Sequence, residues 1–73
     1  MGKGQENRIK KEFGARLKSI RQQRGLSQEA LALACDLDRT YIGGVERGER
    51  NISLINIHKI ARALSIPPKE LMQ

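Results

Sequence analysis

The sequence predicts an all-α fold, five helices in one small domain, and three observations carry that prediction. Apolar residues recur at intervals of three and four through most of the chain, which is the period of one helix face. Ser27, Asp38 and Ser53 each stand just ahead of such a stretch, where a side-chain oxygen can accept from the free amides of a helix start. Nothing along the chain reads as a strand.

Ile9, Phe13, Leu17 and Ile20, spaced by four, four and three, define the apolar face of a first helix running from about Glu6 to Arg24. Gly25 follows it and suits the left-handed backbone that closes a helix. Ser27 caps a second helix, Gln28 to Cys35. Asp36 and Leu37 form a short connection in which Asp36 tolerates the left-handed conformation. Asp38 then caps a third helix from Arg39 to about Arg47, which Gly48 ends. Glu49 to Ile52 is a polar loop. Ser53 caps a fourth helix, Leu54 to Leu64, whose core stripe is Leu54, Ile57, Ile60, Ala61 and Leu64. Ser65 to Pro68 breaks it, and Pro68 suits the first position of a last short helix ending near Met72. Residues 1–5 are expected to form a flexible tail and residues 6–73 the folded domain.

Composition narrows the function classes. The 73 residues include 14 Lys and Arg against 8 Asp and Glu, a net charge of +6. A chain this short buries only ~60% of the surface its unfolded form exposes, which leaves no room for a deep enclosed active site. The longest apolar run, Ala30 to Cys35, is far below the ~18 residues of a membrane span. Cys35 is the only cysteine, so an internal disulfide and a cysteine zinc site are both excluded, and a reducing, cytoplasmic location is expected. The whole excess of positive charge falls in residues 1–25, a pattern compatible with a polyanionic partner or with a solvated helix surface. No catalytic residue, metal ligand set or cofactor is expected. His58 stands alone, Cys35 falls at a core position, and neither has a base beside it.

The informative stretch is Gln28 to Arg47, QEALALACDLDRTYIGGVER. Two short helices joined by three residues must cross closely and steeply. Leu31, Cys35, Leu37, Ile42 and Val45 are the apolar positions that lock them together, and Ala32 is small where they meet. Such a pair is a helix-turn-helix at residues 28–47, whose second helix can be offered to the major groove of DNA. Gly43 and Gly44 in the third helix each cost ~1 kcal/mol relative to alanine, and they shorten the side-chain surface at that end.

From Arg21 to Leu71, the segments RQQRGLSQEALA, DRTYIGGVERGERN, SLINIHKIARAL and IPPKEL resemble the five-helix lambda-repressor and Cro-like (XRE) family. DRTYI followed by ERGERNISL is especially similar to the controller proteins of restriction-modification systems. The resemblance implies a homodimeric, sequence-specific regulator of transcription that binds double-stranded DNA and acts on its own promoter and that of an endonuclease gene. Asp36 departs from the glycine often found at the turn.

Arg39, Thr40 and Tyr41 lie in the first turn of the third helix, off the Ile42 and Val45 face, and are the candidate base readers. Arginine can fork to guanine, threonine can meet a thymine methyl or a phosphate, and tyrosine can reach a phosphate or pack against its neighbour helix. Ser27 and Gln28 open the second helix, where backbone amides suit a phosphate oxygen, and the resemblance implies that contact for Gln28. Arg47, Arg50 and Asn51 are candidates for the flanking backbone, and the resemblance favours Arg50 over Arg47. It also implies a structural ion pair between Arg21 and Glu46.

One short helix touches too few base pairs to pick out a site in a genome, so two copies and a pseudo-palindromic operator are expected. Ile52, Ile55, Ile66, Pro67 and Met72 are the candidate dimer interface, or in part simply exposed apolar residues. Two alternatives stand beside the controller reading: a phage-type repressor or antitoxin, and a helical protein-interaction module that binds no DNA.

Overall fold

The computed structural model describes residues 2–73. Four α-helices, α1 (Lys3–Gln23), α2 (Gln28–Cys35), α3 (Arg39–Glu46) and α4 (Leu54–Leu64), are followed by one 3-10 turn, Pro68–Leu71, and the described residues contain no strand. The expected fifth helix is therefore that single turn. Pro68 holds the first position of this turn, where its missing amide proton costs nothing, and four residues is the usual length of a 3-10 piece. The turn closes with bonds three residues apart, from the Glu70 amide to the Pro67 carbonyl and from the Met72 amide to the Lys69 carbonyl, both at 3.0 Å.

The helix starts follow the capping chemistry. Ser27 Oγ accepts from the Ala30 amide at 3.0 Å, Ser53 Oγ from the Asn56 amide at 3.1 Å, and Asp38 Oδ1 from the Thr40 amide at 3.3 Å. Only α1 begins well before its expected start. Of the five residues expected in a flexible tail, Met1 lies outside the described residues, while Lys3, Gly4 and Gln5 form the first turn of α1. Their side chains are exposed, so this turn leaves no trace in the apolar period.

All four helices end the same way. Gly25, Asp36, Gly48 and Ser65 take left-handed backbone with φ of 71°, 57°, 76° and 58°. The amide of the next residue then reaches back five positions: Leu26 to Arg21, Leu37 to Ala32, Glu49 to Gly44 and Ile66 to Ala61. This geometry folds the following side chain back along its helix. Leu26, Leu37 and Ile66 consequently pack on the core.

The core joins Phe13, Leu17 and Ile20 of α1, Leu31 and Cys35 of α2, Ile42 and Val45 of α3, Ile57, Ile60 and Leu64 of α4, and Leu71. Two expected core residues are not in it. Ile9 is 51% exposed because α1, about 31 Å long at 1.5 Å per residue, runs past the core. Leu54 is 70% exposed because it is the first residue of α4, ahead of the turn that meets the core. α3 is held between α1 and α2. Its approach to α1 is close enough that a Cβ on Gly14 would lie 2.6 Å from the Glu46 carbonyl oxygen and closer still to that of Val45.

Across the edge of this contact Arg21 and Glu46 form a two-pronged pair. Arg21 Nε donates to Glu46 Oε2 at 2.6 Å and Nη2 donates to Oε1 at 3.0 Å, with side-chain exposures of 9% and 2%. Arg21 Nη1 also donates to the Leu26 carbonyl at 2.8 Å, and Gln28 Nε2 donates to Glu46 Oε1 at 3.0 Å. Hydrogen bonding to Glu46 raises the Arg21 guanidinium above its ordinary value against the opposing effect of burial. No buried side-chain polar atom among the described residues lacks a partner.

Two outcomes follow from these contacts. Arg21→Ala strands the Glu46 carboxylate and is expected to cost about 3–5 kcal/mol. The double substitution Arg21→Met with Glu46→Leu should recover most of that loss, as read from paired thermal melts. Gly14→Ala sets a methyl group against two backbone carbonyls that cannot turn aside, and denaturant titration should show a loss of at least about 1–3 kcal/mol.

Candidate nucleic-acid interface

The sequence-predicted residues fall into three neighbourhoods around α3. The first is continuous. Gln28, at the start of α2, and Arg47, just past α3, flank Gly43, with Gln28 Oε1 3.5 Å and Arg47 Nη1 3.1 Å from where a Cβ would stand. Arg50 lies over Gly44, its Cγ 2.9 Å from the corresponding position, and its guanidinium sits 5.0 Å from the centre of the Tyr41 ring. The glycine pair thus gives two arginines a floor to lie on. Arg47 and Arg50 are exposed; Gln28 and Tyr41 are half-buried.

The second neighbourhood is the first turn of α3. Arg39 and Thr40 are exposed, and Arg39 borders a shallow depression shared with Glu29, Leu33 and Leu37. These two residues stand one helical turn before Gly43 and Gly44, on the side of α3 that carries the arginine patch. Asn51 forms the third, directly after Arg50, where it borders a groove with Glu6, Ile9 and Lys10 of α1. Ser27 is committed to capping α2.

Electrostatics divides the two arginines of the patch. Arg47 Nε donates to Glu49 Oε2 at 3.0 Å, an exposed pair that lowers the Glu49 carboxyl and raises the Arg47 guanidinium from their ordinary values. Arg50 makes no carboxylate contact among the described residues and lies over the tyrosine ring, a cation–π placement. Tyr41 is anchored from below by α4, where Asn56 Nδ2 donates to Tyr41 Oη at 3.1 Å. Sequence reasoning missed Asn56, which is fifteen residues from the tyrosine it touches and carries no signal of that contact.

The remaining chemistry is structural. Arg16 Nε donates to the Glu70 carbonyl at 2.6 Å, so it ties the 3-10 turn to α1. Burial pushes the Cys35 thiol up, and its Sγ donates to the Ala32 carbonyl at 3.7 Å. No group of three or more His, Cys, Asp or Glu side chains among the described residues is placed to hold a metal ion. No described helix is long and apolar enough to cross a membrane.

A helix-turn-helix family model matches residues 17–71. The chain belongs to the helix-turn-helix family. Within that family it is similar to control proteins of restriction-modification systems, as the DRTYI and ERGERNISL segments imply. It is 51% identical to control protein C.BamHI of Bacillus amyloliquefaciens, over 90% of this chain and 83% of that one. It is 48% identical to control protein C.MunI of a Mycoplasma species, over 89% of each. The crystal structure of the restriction-modification controller protein C.AhdI from Aeromonas hydrophila superposes with a TM-score of 0.83 at 59% identity, covering 84% of this chain and 92% of that chain.

Among the candidate dimer residues, the structure removes Ile66 from the surface. It is 9% exposed and belongs to the core, because the left-handed Ser65 folds it back onto α4. Ile52 is half-buried against the core, whereas Ile55 at 66%, Met72 at 63% and Pro67 are exposed. Leu54 joins them.

The glycines of this helix-turn-helix protein differ in what surrounds them, and so should their substitutions. An alanine at Gly44 would stand 2.9 Å from Arg50 Cγ, so the arginine must shift and give up its place over Tyr41. Gly44→Ala should therefore destabilise less than Gly14→Ala in thermal melts, because a side chain gives way where two backbone carbonyls cannot and up to ~1 kcal/mol of helix propensity offsets the cost.

Proposed function

We propose that this protein is a restriction-modification controller, a homodimeric regulator of transcription that binds a pseudo-palindromic site on double-stranded DNA in the cytoplasm. The observation that carries this reading is the surface along α3. An unpaired Arg50 is braced on Tyr41 over a glycine floor, next to the exposed turn of Arg39 and Thr40. Such a surface offers charge for phosphates beside side chains long enough for base edges. The relatives are named as control proteins, which favours the controller reading over a phage repressor, an antitoxin or an interaction module.

In this reading α3 lies in the major groove. Arg39, Thr40 and Tyr41 read bases, while Ser27 and Gln28 at the start of α2 and Arg47, Arg50 and Asn51 after α3 hold phosphates. Arg50 carries more of the backbone contact than Arg47, whose charge is shared with Glu49. The chemistry is binding, with no catalytic step, cofactor or metal. The DNA-binding domain spans residues 6–73, with its helix-turn-helix at 28–47.

Arg39→Ala is expected to cost about 1–3 kcal/mol on a selected site and to relax the base chosen there. Arg50→Ala should instead weaken selected and random duplexes by similar factors and flatten the salt dependence. Titrations at several salt concentrations distinguish the two, and equal losses on all sequences for Arg39→Ala would remove it from base reading.

The dimer is proposed to pair through Ile55, Met72, Pro67, Leu54 and the exposed part of Ile52. Two copies related by a two-fold axis place their α3 helices one turn apart, ~34 Å along the duplex. Ultracentrifugation at micromolar protein should show a dimer for the wild type and a folded monomer for Ile55→Glu. A wild type that stays monomeric both with and without DNA contradicts the proposal.

A further inference from the structure

Resting on the proposed role of Tyr41 as a base reader, we infer that Asn56 is a positioning residue for that reading: it fixes the Tyr41 hydroxyl as an outward hydrogen-bond donor. A phenolic oxygen carries one proton and accepting lone pairs, so a free tyrosine can meet either a donor or an acceptor on DNA. In the orientation observed, Asn56 removes that freedom by turning Nδ2 rather than Oδ1 to the hydroxyl. Its Nδ2 only donates, and at 3.1 Å it occupies the oxygen from the α4 side. The hydroxyl proton is left for an acceptor outside the protein, such as guanine O6 or N7, thymine O4 or a phosphate oxygen, and the amino groups of adenine and cytosine are disfavoured.

Two further contacts and one gap hold the two side chains' surroundings in place. The Asn56 backbone is held by the Ser53 cap at 3.1 Å, so the amide is presented from the rigid first turn of α4. Arg50 covers the ring at 5.0 Å, which opposes swinging of the tyrosine. Gly44 leaves the space that lets Arg50 lie there, since a Cβ would stand 2.9 Å from its Cγ. Asn56 is itself half-buried and acts through Tyr41.

The test compares affinity for a duplex selected from a random pool by the wild-type protein with affinity for an unrelated duplex of equal length. The preference is the ratio of the two. Asn56→Leu, which keeps the branched shape and removes the donor, should lower the preference about 5- to 10-fold, the scale of one hydrogen bond. Tyr41→Phe should lower it by a similar factor, and adding Asn56→Leu to Tyr41→Phe should change it no further. Thermal melting of each variant checks the fold.

Asn56→Asp keeps the shape and reverses the polarity, because a carboxylate can only accept the tyrosine proton. Selection with this variant should exchange an acceptor base for one bearing an amino group at a single operator position, an outcome that a purely structural role cannot produce. Unchanged preference in Asn56→Leu beside a loss in Tyr41→Phe overturns the positioning role and leaves Tyr41 a reader. Equal further loss from Asn56→Leu in the Tyr41→Phe background also overturns it, since Asn56 then acts without the hydroxyl. If Tyr41→Phe itself keeps full preference, the hydroxyl reads nothing and both ideas fall together. Should Asn56→Leu not fold, Asn56→Asp carries the decision alone, and an unaltered selected site overturns the proposal.

Discussion

The Arg21–Glu46 pair is the constraint on which the rest of the structure depends. Its four hydrogen bonds join α1, the turn after it, the start of α2 and the end of α3. Three of these pieces would otherwise be joined only by apolar contact, which resists separation but does little to resist sliding. A planar guanidinium gripping a carboxylate by two parallel bonds has one geometry, so it fixes rotation as well as distance. Gly14 complements it by letting the α1 and α3 backbones approach at the same edge. The orientation of the candidate reading helix is therefore set from behind, by residues that offer nothing to a ligand.

Much of the fold is legible because its boundaries are written in local chemistry. Ser27, Asp38 and Ser53 cap as their hydroxyl and carboxylate oxygens imply, and Gly25 and Gly48 end helices as glycines do. Asp36 takes the left-handed backbone its short polar side chain tolerates. What could not be read was distance along a face. Periodicity says that Ile9 and Leu54 point toward the core direction, but it does not say that the core stops short of them. Nor does it show that Ser65 folds Ile66 inward, because serine is an uncommon residue for that conformation.

The candidate site was legible at its tips and opaque at its supports. Arg39, Thr40, Arg47 and Arg50 are exposed residues beside a recognisable helix pair, so their type and position already suggest a role. Asn56 and the floor formed by Gly43 and Gly44 depend on which segments meet after folding, and no spacing rule links residue 56 to residue 41. The glycine pair reads in sequence only as a penalty to α3. In the folded protein it is the room that Arg47 and Arg50 occupy.

The separation of these tips from their supports has an evolutionary consequence. Arg39 and Thr40 project from α3 without a hydrogen bond from either side chain among the described residues. Exposed positions of this kind change stability by only about 0.5 kcal/mol when substituted. If α3 reads bases as proposed, new site preferences can be explored at these two positions without unfolding the domain, while a change at Tyr41, which is tied to α4, also disturbs its bond to Asn56. A lineage of such proteins would diverge in what it recognises by altering the unanchored pair first.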